Sequence, residues 1–296
     1  PTTVRAATLR DWVVNSPQRA PIHLNGVDQS VITVEGLRAE DFAPDVDGII
    51  GWGAGTITLS DLVLRGQSGA ADGVRLVGDG ALTVRVTGGE LTSAAGDNAV
   101  RLVGDGRPAT VDFAVVGAQI TGWLGDRISL DAGDGDTTAT LRADDNTVTA
   151  GDLPGFGAGI RLQLEADAPG ATLTGQISAQ RNTVTGVSSH AIDVTLRDAA
   201  ANAADLWLIG NQIAHVGGEA LRVRALDGAQ VRAAIRENTA GAVGGGGLLI
   251  VSDDPAQVAV EGEGEDAAAA LEAQNDVAPV GVPGGVRVIP VGSLDP

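Results

Sequence analysis

The chain contains no cysteine, methionine, tyrosine or lysine. Without cysteine there is no disulfide framework, no thiolate zinc site and no thiol nucleophile. Aromatic residues make up 2% of the 296 positions, so the core must come from Val, Ile, Leu and Ala. All 19 basic residues are arginine, set against 38 acidic ones, for a formal net charge of −19. Such a chain is a poor partner for nucleic acid or anionic membranes, which are bound through basic faces. No apolar run reaches about 18 residues, so nothing reads as a membrane-spanning helix. Glycine, in contrast, is abundant. The 43 glycines and 12 prolines exclude a helical bundle, while 43% apolar residues supply a large core. The chain opens at Pro1 rather than Met, as expected after removal of a leader or flanking segment.

A short strand-like motif recurs along most of the chain: Gly73-Val74-Arg75-Leu76, Ala99-Val100-Arg101-Leu102, Arg127-Ile128-Ser129-Leu130, Gly159-Ile160-Arg161-Leu162, Ala191-Ile192-Asp193-Val194, Ala220-Leu221-Arg222-Val223 and Gly247-Leu248-Leu249-Ile250. Successive copies from Val74 to Leu248 are 26, 28, 32, 32, 29 and 27 residues apart. Gly285-Val286-Arg287-Val288 reads as an eighth copy after an insertion. Each unit holds a second landmark, seen as Asn146-Thr147-Val148, Asn182-Thr183-Val184, Asn211-Gln212-Ile213, Asn238-Thr239-Ala240 and Asn275-Asp276-Val277. Counting back five residues from it gives Val84, Phe113, Leu141, Ile177, Leu206 and Ala233. Counting back three gives Val86, Val115, Ala143, Ala179, Leu208 and Ile235. Two residues after it lie Leu91, Ile120, Val148, Val184, Ile213 and Ala240. Every one is apolar, and spacing within a unit is two, the period of a strand with one buried face.

Three short strands per unit of about 30 residues, stacked in parallel register, describe a solenoid. The sequence therefore predicts an all-β, right-handed parallel β-helix of about nine coils over residues 21–291. At ~4.8 Å per coil the rod is roughly 40 Å long. The aligned asparagines predict a buried side-chain ladder at one turn. Residues 1–20 read as an N-terminal cap, with Thr8–Val14 as a short helix over the open sheet edge and Thr8 and Asp11 near capping-box spacing. Residues 292–296 read as a tail or linker.

The aligned strands, the Asn-Thr-Val turns and the opening Thr8-Leu9-Arg10-Asp11 together resemble right-handed parallel β-helix proteins of the pectin-lyase-like fold. That fold is used in secreted repeat proteins and autotransporter passengers. Trp12 follows where those proteins usually have a small residue. The fold hosts lyases, glycoside hydrolases and non-catalytic adhesins, so the resemblance specifies architecture before activity. Enzymes of this kind work on the outer face of one sheet. Their polygalacturonase-like signature, Asn-Thr-Asp, a paired Asp, Gly-His-Gly and Arg-x-Lys, is incomplete here, because Asn182-Thr183 is followed by Val184. The resemblance leaves open a lyase chemistry with arginine as base.

The richest chemical constellation is on the outer face of the opening strand. Arg161, Asp193 and Arg222 share a column in three consecutive units, and His190 and Glu219 stand at the preceding turn. An acid, a base candidate and two cations could do acid–base work or bind an acidic sugar. The plain alternative is a solvated Arg–Asp–Arg ladder that offsets like-charge stacking. A second feature is an acidic turn column, including Asp105 and the dense stretch Asp131, Asp134 and Asp136. Stacked carboxylates repel, and calcium would relieve them, so these four are candidate calcium ligands. Asp-Gly turns need no metal, however. Two readings follow. The first is a non-catalytic, secreted or cell-surface bacterial rod acting in adhesion or as a segment of a surface assembly, its partners being surface glycans or other subunits. The second is a polysaccharide lyase, glycoside hydrolase or glycan-binding module using the opening-strand face.

Overall fold

The computed structural model describes residues 6–25, 30–78, 80–104, 109–133, 137–151, 155–165, 172–197 and 203–294. It is an all-β solenoid of about nine turns wound from three parallel sheets. The sheet containing Val74–Gly78, here the opening sheet, has ten strands among the described residues. The sheet containing Leu82–Thr87, the middle sheet, has eleven, and the one containing Glu90–Ala95, the closing sheet, has nine.

The apolar columns superpose residue for residue. In the middle sheet Val84 lies beside Phe113, Phe113 beside Leu141, Leu141 beside Ile177, Ile177 beside Leu206 and Leu206 beside Ala233. In the closing sheet Leu91, Ile120, Val148, Val184, Ile213 and Ala240 stack in the same way. All but Ala240 are buried, and they belong to one continuous core running the length of the rod. A parallel sheet brings identical positions within one strand spacing, so a unit repeated in sequence repeats its core contact in space.

The corner between the middle and closing sheets explains why the strands turn there. One residue per coil adopts a left-handed backbone: Asp11, Gly36, Asp61, Gly88, Gly117, Asp145, Arg181, Gly210 and Glu237, with φ between 52° and 71°. Gly and Asp populate this conformation at least cost, which accounts for seven of the nine positions, all but Arg181 and Glu237. The next residue carries the ladder. Asn182 Oδ1 accepts from the backbone N–H and the Nδ2 of Asn146, each at 3.0 Å, while its own Nδ2 donates to Ala143 O at 2.7 Å and to Asn211 Oδ1 at 3.0 Å. The pattern continues through Asn211 and Asn238 to Asn275. Asn182, Asn211 and Asn238 have no solvent exposure, yet every amide is paired, as burial of polar groups requires.

Two expectations are corrected at the ends. Thr8–Val14 is not a capping helix: Ala6–Arg10 and Val13–Asn15 are strands of the first coil, paired with Ser30–Glu35 and Arg38–Glu40. Leu9 and Val14 point to the core with period-two alternation, and Asp11 takes the same corner as its later counterparts. Gly285–Val288 is not the eighth opening strand. Leu248 pairs with Val280 instead, and Arg287–Ile289 joins the middle sheet beside Ala259–Glu261. The phase shifts because a helix, α1 (Ala267–Gln274), is inserted between these strands. The Asp266 carboxylate accepts from the N–H groups of Ala268 and Ala269 to cap it, and Leu271 is buried in the core. The described chain up to Leu294 folds back over the outer face of the middle sheet, where Leu294 is buried with Trp207 and Ala234.

Candidate functional site

The opening sheet presents its outward residues in register. Arg161 lies beside Asp193 and Asp193 beside Arg222, as the sequence spacing requires. Asp193 is nearly fully buried although it faces outward. Its carboxylate accepts two bonds from Arg222, from Nε at 2.9 Å and Nη2 at 2.7 Å, and a third from Arg224 Nη2 at 3.2 Å. Burial alone would raise the Asp193 carboxyl, but the Arg222 bonds and the charges of both arginines outweigh it and hold the group below its usual range. A carboxylate so held is a weak base.

Arg161 does not join this cluster. Its guanidinium turns to Gln163 on its own strand, bonding Oε1 through Nε at 3.0 Å, and reaches Asp126 Oδ2 at 3.4 Å. His190 and Glu219 do meet, with Nδ1 2.5 Å from Glu219 Oε2 and 3.3 Å from the Glu219 backbone nitrogen. Burial, and then the charge of Arg222, hold the imidazole below its ordinary value despite the nearby carboxylates.

The turn before the opening sheet shows what His190 and Glu219 are part of. Asp47, Asp72, Asn98, Asp126, Ala158 and His190 each stand two residues before an opening strand, and Glu219, the first residue of the strand Glu219–Ala225, holds the matching position two before Leu221. Asp47 Oδ1 accepts the Asp72 N–H at 2.7 Å, Asp72 Oδ1 accepts the Asn98 N–H at 3.0 Å, and Asp126 Oδ1 accepts the Ala158 N–H at 2.7 Å. The Glu219 N–H beside His190 repeats that arrangement. The same contact thus recurs in three separate segments, Asp47–Asp72–Asn98, Asp126–Ala158 and His190–Glu219. Its sequence signal, an Asp or Asn placed two before several opening strands, is visible without coordinates but was outweighed by the more regular Asn column.

Of the calcium candidates, Asp105, Asp134 and Asp136 lie outside the described residues. Asp131 is described, and no cluster of metal-ligating side chains occurs among the described residues. Asp131 faces outward on Ile128–Gly133 and accepts from Ser129 Oγ at 3.1 Å, while its Oδ1 is buried without a partner. Burial pushes its carboxyl above the usual range against the attraction of Arg161. A raised folded value means that the native state binds the proton more tightly than the unfolded chain. Stability contributed by this group is present at low pH and lost as pH rises through the folded value. Asp131→Asn should therefore stabilise the protein at pH 7 and give no gain below about pH 4, readable as melting temperature against pH. One further turn acid, Asp253, is tied to the backbone: its carboxylate accepts the Asp227 N–H at 2.6 Å.

Elsewhere many arginines tie one coil to the next. Arg10 pairs with Glu35, Arg65 with Glu40 and Glu90, Arg85 with Asp112, Arg181 with Asp145, Arg197 with Glu165, and Arg232 with Asp205. Guanidinium suits the task because its planar fork meets a carboxylate through two parallel bonds, as in Arg181–Asp145 and Arg232–Asp205. No family model matches the chain, and no curated protein or solved structure shows significant similarity to it.

Proposed function

We propose that the chain is a non-catalytic rod of a secreted or cell-surface assembly, serving in adhesion or as a structural segment, with surface glycans or other protein subunits as partners. The observation that carries this reading is the state of Asp193. The acid best placed for chemistry is buried, held by three guanidinium bonds and kept below its usual range. His190 and Glu219 repeat, in their own coils, the turn contact made at Asp47, Asp72 and Asp126. The resemblance to pectin-lyase-like passengers supports a surface location, and abundant Ala, Gly, Arg and Asp without Lys or Cys fits a bacterial exported protein.

Incubation with acidic and neutral polysaccharides tests the proposal. The rod is expected to release neither ultraviolet-absorbing unsaturated ends nor new reducing ends, while being retained on cells or glycan surfaces. Released product overturns it. A polysaccharide-active site on the opening sheet is the second reading, favoured by the raised carboxyl of Asp131 within the field of Arg161. Product that disappears in both Asp131→Asn and Asp193→Ala would establish that alternative.

A further inference from the structure

A cleft of about 350 Å³ opens on the outer face of the middle sheet, on a different face from the Asp193 cluster. It has a simple steric origin. Arg142, Ser178 and Trp207 occupy one outward column in three successive coils. Ser178 is short, so the column dips between a long guanidinium on one side and an indole on the other. Gln176 and Gln180 flank the dip on the same strand, with Thr140 beside Gln176 in the preceding coil. The far side of Trp207 is fixed by Ala234 and Leu294, and Leu294 is itself held by its N–H bond to Glu261 Oε1 at 2.7 Å. The wall of the cleft is therefore packed from behind.

The chemistry of the lining selects the ligand. Both cations are already matched: Arg142 binds Asp144, and Arg181 holds Asp145 through two bonds of 2.7 and 2.9 Å. The Asp144 carboxylate is saturated by Arg142, by Ser178 Oγ at 2.9 Å and by the Gln180 N–H at 2.9 Å. It offers no free base, and the cleft offers no uncompensated positive charge to a polyanion. What remains is neutral hydrogen-bonding capacity. The Thr140 hydroxyl and the exposed Gln176 amide bond nothing else among the described residues, and the indole N–H of Trp207 is buried without an acceptor. Planar amides and a hydroxyl set beside an indole ring, around a recess of this size at the lower end of small-molecule sites, match the paired hydroxyls of a sugar ring.

We propose that this cleft is a binding site for a neutral saccharide. The proposal rests on the rod reading and names its adhesive contact, on the middle rather than the opening sheet. The test uses the full chain labelled with ¹⁵N, titrated with neutral oligosaccharides and, in parallel, with uronate-containing ones. The readout is the Trp207 indole resonance, assigned by its absence in Trp207→Phe. At least one neutral oligosaccharide is expected to shift that resonance with a dissociation constant of about 1 mM or tighter. Ser178→Leu, which fills the dip, should weaken binding at least about tenfold. Gln176→Ala, at an exposed position, should weaken it about fivefold without disturbing the fold. Asp193→Ala should leave the titration unchanged.

The site falls if no neutral oligosaccharide moves the resonance at about 10 mM, if only the acidic ligands do, or if binding survives both Ser178→Leu and Gln176→Ala. The rod reading fails separately, by the appearance of cleaved product in the same tubes. A shift without product upholds both statements. Absence of both leaves the rod standing and removes the site.

Discussion

Asn182→Ala is expected to cost about 3–5 kcal/mol of stability, measured by urea unfolding. The substitution deletes one side chain but strands groups in three coils. The Asn146 N–H loses its acceptor, one Asn146 Nδ2 hydrogen loses its partner, the Ala143 carbonyl loses its donor, and Asn211 Oδ1 keeps only one of its two bonds from residue 182. Water cannot replace these bonds, because Asn146, Asn182 and Asn211 are all buried. The half-buried neighbour Thr183 is the control: Thr183→Ala should change stability by less than about 1 kcal/mol. Equal effects at the two positions would mean that the ladder contributes nothing beyond ordinary turn formation.

The second large effect is expected at Arg222. Arg222→Ala should destabilise by about 2–3 kcal/mol, because it leaves Asp193 buried with only the 3.2 Å bond from Arg224. The loss should be smaller in acid, and the sign follows from linkage. Asp193 is held below its unfolded value, so its contribution is full above about pH 4 and fades as pH falls through the lower folded value. The variant should therefore show a shallower acid-side slope than the parent. Arg222→Lys, which keeps the charge without the two-pronged geometry, should recover only part of the loss. Because the prediction concerns folding, it also separates a structural Asp193–Arg222 pair from a catalytic one. A structural pair moves the melting temperature, whereas a catalytic pair would move product formation at unchanged stability.

Much of this architecture could be read before any coordinates. The column from Val84 to Ala233 could be written down because period-two alternation and a unit of nearly constant length fix both the face and the neighbour of each residue. The Asn ladder was legible for the same reason. Other parts were not. Around Thr8–Val14, capping-box spacing competes with strand alternation, and in a stretch that short neither pattern is long enough to win. Only the pairing of Leu9 with Val34 decides it. Gly285–Val288 copies an opening strand because inward–outward alternation looks alike in all three sheets, and the phase change made by α1 leaves no mark on the motif itself. At Arg161 the column was right but the partner was wrong. Register names the adjacent residue, while a long side chain chooses among that residue, its own strand and the turn below, and here it chose Gln163 and Asp126. The cleft at Ser178 was missed because it depends on a small residue between two large ones across coils, and because Trp207 reads as one more residue in a strand.

The absence of native cysteine makes the central claim directly testable. Thr121, Thr149 and Thr185 face outward on consecutive strands of the closing sheet, with Thr121 beside Thr149 and Thr149 beside Thr185. In parallel stacking, neighbouring Cα atoms lie about 4.8 Å apart, within disulfide reach, while residues two coils apart are separated by about twice that. A Thr121→Cys/Thr149→Cys variant should oxidise to an intramolecular disulfide in the folded protein, and a Thr121→Cys/Thr185→Cys variant should retain two free thiols. Cross-linking of the distant pair in place of the near one would contradict the stacked parallel solenoid on which the rest of the account depends.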